Sequence, residues 1–212
     1  MTLKHKLLIT LTILSVFACK KIDPNHQIDE GKIESNTYTS HEIGWEMEIP
    51  KGWDIVTMEE TDAFQKKGEA ILEPMLEDSI DASQIRNLLS FKKNLFNMFQ
   101  STSEPFEIQY EGEWEENNIA LKELLEDAFY QQGIAVTSSD ITTETIDGLD
   151  FKVYTFTVYD TKGNIILNQM MYSRWINGFD FGVNINYNNE AFKTEMLSAF
   201  KNSKFKRPKQ KK

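Results

Sequence analysis

Cysteine is almost missing from this chain: Cys19 is the only one in 212 residues. An internal disulfide framework is thereby excluded, as are paired Cys-x-x-Cys metal ligands and a dithiol redox centre. Histidine is nearly as scarce, with His5, His26 and His41 the complete set. There is no His-Glu-x-x-His pair and no Gly-x-Ser-x-Gly elbow, so the spacings of a zinc hydrolase or a nucleophile elbow are lacking. His41 is the only histidine left for a folded body, and it reads as an exposed strand-end residue. Long apolar runs are lacking too. The longest, Leu7 to Ala18, makes about 18 Å of helix against a hydrocarbon core of roughly 30 Å. No internal repeat and no low-complexity stretch occurs. What remains is 40% hydrophobic, 12% aromatic and 26% charged, the profile of one globular domain that buries about 70% of its unfolded surface and needs neither metal nor cofactor to fold.

The N-terminus has a definite pattern. Lys4 and Lys6 precede the apolar run, and Ser15-Val16-Phe17-Ala18-Cys19 follows. A basic n-region before a 7–15-residue apolar segment is the form of an export signal. The cleavage zone resembles the lipobox of bacterial lipoproteins, in which a cysteine after a small residue is acylated and becomes the new N-terminus. Phe17 departs from the small residue usual at its position. The resemblance implies a signal peptide over 1–18 and lipidation of Cys19 by acyl chains such as palmitate. Two or more chains anchor stably, at about 0.8 kcal/mol per buried CH2. Lys20, rather than Asp, follows the cysteine, which by the same analogy implies the outer membrane, facing either the periplasm or the cell surface.

Residues 19–36 contain Pro24, Gly31 and several charges with almost no apolar periodicity, and are expected to be a flexible tether. A single domain is expected over 37–205, with a basic tail at 206–212. Within the domain, Trp45, Met47 and Ile49 alternate with glutamates as in a half-buried strand. Met58 to Glu77 has helical spacing broken by Gly68 and Pro74. Strands are expected over Leu88 to Lys93, Leu95 to Ser101 and Phe106 to Tyr110. Glu115 to Gln132 reads as a helix with an apolar stripe of Ile119, Leu121, Leu124, Leu125, Ala128 and Phe129, capped by Gly133. Turn signals at Asp147-Gly148, Asp160 to Asn164 and Asn177-Gly178 divide a four-strand meander. Its middle strands are apolar on both parities and must be covered on both sides. By contrast, Phe179 to Tyr187 alternates strictly with Asp180, Gly182, Asn184 and Asn186, leaving one face for water or a groove. A closing helix runs from Asn189 to Lys201. The expected fold class is α+β: an antiparallel sheet with a C-terminal meander and helices on both faces.

The Gly44-Trp45 strand, the Ile49-Pro50-Lys51-Gly52-Trp53 turn and this order of elements resemble the PsbP-like fold over about 45 to 205. That fold is shared by an extrinsic subunit of photosystem II, the Ran-binding nucleotide-release factor and many small bacterial lipoproteins. The resemblance implies a non-enzymatic accessory module that docks a protein partner in the cell envelope. It transfers no binding residue to this chain.

The acids total 33, all within residues 19–200, against 14 bases there, a formal charge of −19; residues 201–212 carry seven bases and no acid. Such a body repels nucleic acid and favours cations and basic partners. Glu111, Glu113, Glu115 and Glu116 read as a solvated loop and helix start, where acids suit the helix dipole. Asp160 to Asn164 lacks the glycine position and final glutamate of a calcium loop and reads as a hairpin turn. Asp78-Ser79-Ile80 resembles a bacterial O-glycosylation acceptor, with Ser79 the modified residue. The basic tail is a candidate for contact with anionic lipid or with the acidic body. The candidate ligand-facing set is Asp180, Asn184 and Asn186 with Asn168 and Arg174 from the preceding strand, because Asn offers both donors and acceptors to a peptide or sugar. Two alternatives to docking stand: an envelope hydrolase using two carboxylates in a cleft, and a small-ligand carrier with a closed apolar pocket.

Overall fold

The computed structural model describes residues 22–75 and 82–206. Cys19, Ser79 and the tail beyond Lys206 lie outside the described residues. In chain order the elements are a 3-10 turn at Pro24–His26, β1 Lys32–Glu34, β2 Thr37–Thr39, β3 Trp45–Glu48, β4 Asp54–Ile55 and α1 Met58–Leu72. Short 3-10 turns at Glu73–Met75 and Ala82–Gln84 precede β5 Arg86–Asn94 and β6 Asn97–Pro105. Then come α2 Glu113–Gln131, β7 Ala135–Ser138, β8 Thr142–Ile146, β9 Leu149–Tyr159, β10 Ile165–Ile176, β11 Phe179–Tyr187, α3 Glu190–Lys201 and β12 Lys204–Phe205.

The strands form two antiparallel sheets. The larger runs β4-β5-β6-β11-β10-β9-β7, with β8 also paired to β9; the smaller runs β1-β2-β3-β12. Two-residue turns set the meander. Asp147-Gly148 and Asn177-Gly178 all have positive φ, between 49° and 86°, the type I′ geometry whose twist matches that of the strands it joins. The second turn pairs Ile176 with Phe179, and every partner along β10 and β11 follows from that register.

One face of the large sheet is sealed by α3 and the small sheet. Trp45 is fully buried there, with ring centroids 5.1 Å from Phe181, 5.4 Å from Tyr38, 6.3 Å from Phe99 and Phe200, and 6.5 Å from Phe205. A second aromatic group ties the Pro50 to Trp53 turn to α3. Trp53 lies 5.3 Å from Phe91 and 5.7 Å from Phe192, and its indole N–H donates to Glu195 at 2.7 Å. Asn189 caps α3 by accepting from the Ala191 and Phe192 amides, a cap worth about 1 kcal/mol.

The other face carries α2. Trp114 and Ala128 of α2 are buried, and Phe129 packs 5.4 Å from Phe156 of β9. At the start of α1, Thr57 and Glu60 form a capping box, and Glu60 pairs with Lys92 of β5. Helices thus cover both sides of the sheet, as the two-parity apolar pattern of β9 and β10 requires. Among the described residues no helix is long and apolar enough to cross a membrane.

Four expectations differ from the structure. The part of the expected tether that is described is folded: Asn25 exchanges hydrogen bonds with Ile33, β1 joins the small sheet, and Ile28 and Ile33 are buried in the main core. A single buried residue per short strand leaves no periodicity to read. Gly68 does not break α1, which runs to Leu72 before Pro74 tightens it; Gly costs a helix only about 1 kcal/mol. Phe106 to Tyr110 is a loop rather than a strand, entered through the Phe106 amide bonding to Gly178 O. The buried line of α2 starts from Trp114 and Asn118, while Ile119 and Leu121 are exposed.

Candidate functional site

The register given by Asn177-Gly178 sorts the polar residues. Even-numbered residues of β11 share a face with odd-numbered residues of β10 and even-numbered residues of β6. Three cross-strand rows follow, each perpendicular to the strands: Glu104, Asp180 and Trp175; Thr102, Gly182 and Ser173; Gln100, Asn184 and Met171. The middle row is made of small residues. Gly182 leaves a floor without a side chain, and a Cβ there would stand 3.3 Å from Thr102 Oγ1. With α2 crossing above, the result is a groove of about 350 Å³ whose lining includes Gln100, Thr102, Glu104, Asn118, Leu121 and Tyr154 besides Met171, Ser173, Asp180, Gly182 and Asn184. That volume is within the range of small-ligand clefts.

A polar chain fixes α2 over one end. The Trp114 indole N–H donates to Asp180 Oδ1 at 3.0 Å, the Asn118 amide donates to Trp114 O at 2.9 Å, and Ser173 Oγ donates to Asn118 Oδ1. Burial pushes the Asp180 carboxyl above the ordinary aspartate range, and the Trp114 bond only partly opposes it. Burial likewise raises the Tyr154 phenol, with the charge of Asp180 adding to the effect. At the opposite end, Asn184 Oδ1 is buried without a hydrogen-bond partner, and so is Asn186 Oδ1 in the next row. A buried acceptor left unpaired costs about 1–3 kcal/mol; such orphans are points at which a ligand can supply what the protein does not.

The structure splits the expected ligand-facing set. Asp180 and Asn184 line the groove; Asn186 shares their face one row farther on. Asn168 and Arg174 are on the opposite face, paired with Tyr187 and Phe181. Asn168 accepts from Thr157 at 2.9 Å. The Arg174 guanidinium lies 6.0 Å from the Phe151 ring and bonds to Asp150 O, and burial lowers its pKa. An even-numbered β10 residue cannot join an even-numbered β11 residue when a two-residue turn makes the sum of partners odd. The same arithmetic, applied to the sequence, places Met171 and Ser173 in the groove; Gln100, Thr102 and Glu104 need the non-local β6 to β11 pairing and are not locally encoded.

Other candidates have structural roles. Asp160 accepts from the Lys162 and Asn164 amides at 2.8 and 2.9 Å and from the Asn164 side chain at 2.8 Å. Those bonds, the Asn164 side chain first, hold its carboxyl below the ordinary range and close a hairpin. His41 is exposed and its backbone N–H donates to Glu30 at 2.7 Å. Among the described residues no three His, Cys, Asp or Glu side chains are grouped to hold a metal ion. A second groove, between the Pro50 turn and α3, is lined by Glu48, Ile49, Thr194, Glu195, Ser198 and their neighbours.

No protein-family model matches this chain, and no curated protein does. A solved structure is similar: the solution structure of cyanobacterial PsbP (CyanoP) from Synechocystis sp. PCC 6803, with a TM-score of 0.52 and 11% identity, covering 83% of this chain and 98% of that one. At that identity the likeness is one of fold. The chain has a PsbP-like α+β fold, as the Trp45 strand and the Pro50-Lys51-Gly52-Trp53 turn lead one to expect.

Proposed function

We propose that this protein is a cell-envelope lipoprotein, held to the outer membrane by acyl chains on Cys19, whose domain works as a non-enzymatic accessory module and docks a protein partner at the groove between α2 and the sheet. The observation that carries the docking surface is the groove itself: a concave floor at Gly182 on a sheet whose other face is sealed by aromatic packing. The anchoring rests on the lipobox-like sequence around Cys19. The PsbP-like fold is compatible with an accessory role and supplies no residue-level function. Photo-crosslinkers placed at Leu121 in native envelopes should capture one dominant protein, and the Gly182→Phe variant, which fills the floor, should lose it. Intact mass of the envelope-extracted protein should show an N-terminus at Cys19 with acyl increments; a polypeptide starting at Met1 contradicts the anchor.

One observation favours the hydrolase reading: Glu104 and Asp180 are register partners lining the same groove, and a buried acid with a raised pKa beside a second carboxylate is the arrangement of a glycosidase pair. Turnover of envelope glycan fragments, abolished by both Glu104→Gln and Asp180→Asn, would replace docking by catalysis. Neither groove described above is the closed apolar pocket of a small-ligand carrier.

A further inference from the structure

We propose that the groove receives a lysine residue of the protein partner in extended conformation, its ammonium at Asp180 and its backbone N–H at Asn184 Oδ1. This rests on the docking reading and adds the chemistry of what is docked.

Charge favours a cation. Among the described residues the groove lining includes the acids Glu104 and Asp180 and no lysine, arginine or histidine, on a body of formal charge −19 between residues 19 and 200. An anionic occupant meets repulsion and no counter-charge, whereas a cation is drawn in and finds a low-dielectric site where the attraction is strong. The balance of donors and acceptors points the same way. Ser173 and Asn118 direct their donors inward, to Asn118 and Trp114. Asn184 Oδ1 is buried and unpartnered, and the Trp114 bond engages only Oδ1 of Asp180. The vacancies are for hydrogen-bond donors.

Spacing and shape suit a lysine. Asp180 and Asn184 are four residues apart on one strand, so their Cα atoms are about 13–14 Å apart. Gly182 stands between them without a side chain, and a donor is wanted at each end of the interval. An extended lysine has one N–H on its backbone and a second donor group at the tip of a four-carbon stem. The wall beside that stem is apolar, built from Leu121, Tyr154 and Met171, and suits methylene groups with the charged head beyond them. Arginine's broad planar fork matches a bidentate carboxylate better than it matches a narrow floor with one oxygen already used.

The test uses the full-length chain and two blocked tripeptides, acetyl-Gly-Lys-Gly-amide and the same peptide with norleucine for lysine, followed by 1H–15N NMR. The Trp114 indole N–H, which touches Asp180, and the amides of Gly182 and Asn184 are the reporters. We expect saturable shifts at these three signals with the lysine peptide, binding weaker by about tenfold or more for norleucine, and a loss of similar size in Asp180→Asn. Asn184→Leu, which keeps the charge site, should weaken binding less. Equal binding of the norleucine peptide, undiminished binding by Asp180→Asn, or silence at all three signals up to the solubility limit of the peptide overturns the lysine assignment. If the Leu121 crosslink still disappears in Gly182→Phe while the lysine peptide is silent, docking stands and only the occupant is wrong. If that crosslink is absent while the lysine peptide binds, the site is right and the docking role is not.

Discussion

The two faces of the large sheet are built from the same strands and differ in nearly everything else. In β11 the odd-numbered residues Phe181, Val183, Ile185 and Tyr187 are buried in the main core, while Asp180, Gly182, Asn184 and Asn186, on alternate positions, are half-buried under or beside α2. The first face is closed by ring against ring around Trp45. The second has a glycine floor, orphan amide oxygens and a carboxyl whose burial raises its pKa. The contrast teaches that strand periodicity separates a sealed face from an open one: residues that hold the fold alternate with residues that line a groove.

The largest effect should come from breaking the sealed face. Trp45→Ala removes the side chain shared by five aromatic neighbours and should cost about 3–5 kcal/mol in urea unfolding. Next is Ile33→Ala, which should cost about 2 kcal/mol; a neutral result would mean that the N-terminal strand only rests on the core. On the groove face Asn118→Ala breaks the link between Trp114 and Ser173 and should cost about 1–2 kcal/mol. Asn184→Ala deletes a buried acceptor that has no partner and so should leave stability unchanged or raised, not lowered. Equal losses on both faces would erase the comparison.

Asp180 gives the contrast a pH signature. Its folded-state pKa is above its ordinary value because burial disfavours the charge. The folded chain therefore holds this proton more tightly than the unfolded chain, and the associated stability is present at low pH and lost as pH rises from the ordinary aspartate range, about 3.9, through the raised value. Asp180→Asn keeps an acceptor for Trp114 and removes the charge, so it should raise the melting temperature at neutral pH and flatten this part of the stability profile. A lower melting temperature at neutral pH would show that the Trp114 bond outweighs desolvation.

Local signals in the sequence explain why so much of the fold is legible. Asp147-Gly148 and Asn177-Gly178 announce the meander because few residue pairs tolerate two successive positive φ values, and strict alternation in β11 marks one wet face. The folded 22–36 segment is hidden because its contribution is two isoleucines, Ile28 and Ile33, whose partners are remote in sequence. The stripe of α2 is misread because the buried line contains Asn118, a polar residue made acceptable by Ser173 and the Trp114 carbonyl. The site is half legible for the same reason. Asp180 and Asn184 stand out by parity, but Thr102 and Gln100 enter through a pairing between strands about 80 residues apart. Arg174, expected to share a face with Asp180 from the preceding strand, is excluded by register.

The central claim is that partners meet the α2 face and not the aromatic-backed side. The direct measurement is paired photo-crosslinking in native envelopes, with the reactive group at Leu121 on the groove or at Thr194 on α3. The account predicts a single dominant adduct from Leu121 that is lost in Gly182→Phe, with none from Thr194; the same adduct from Thr194, or none from Leu121, contradicts it.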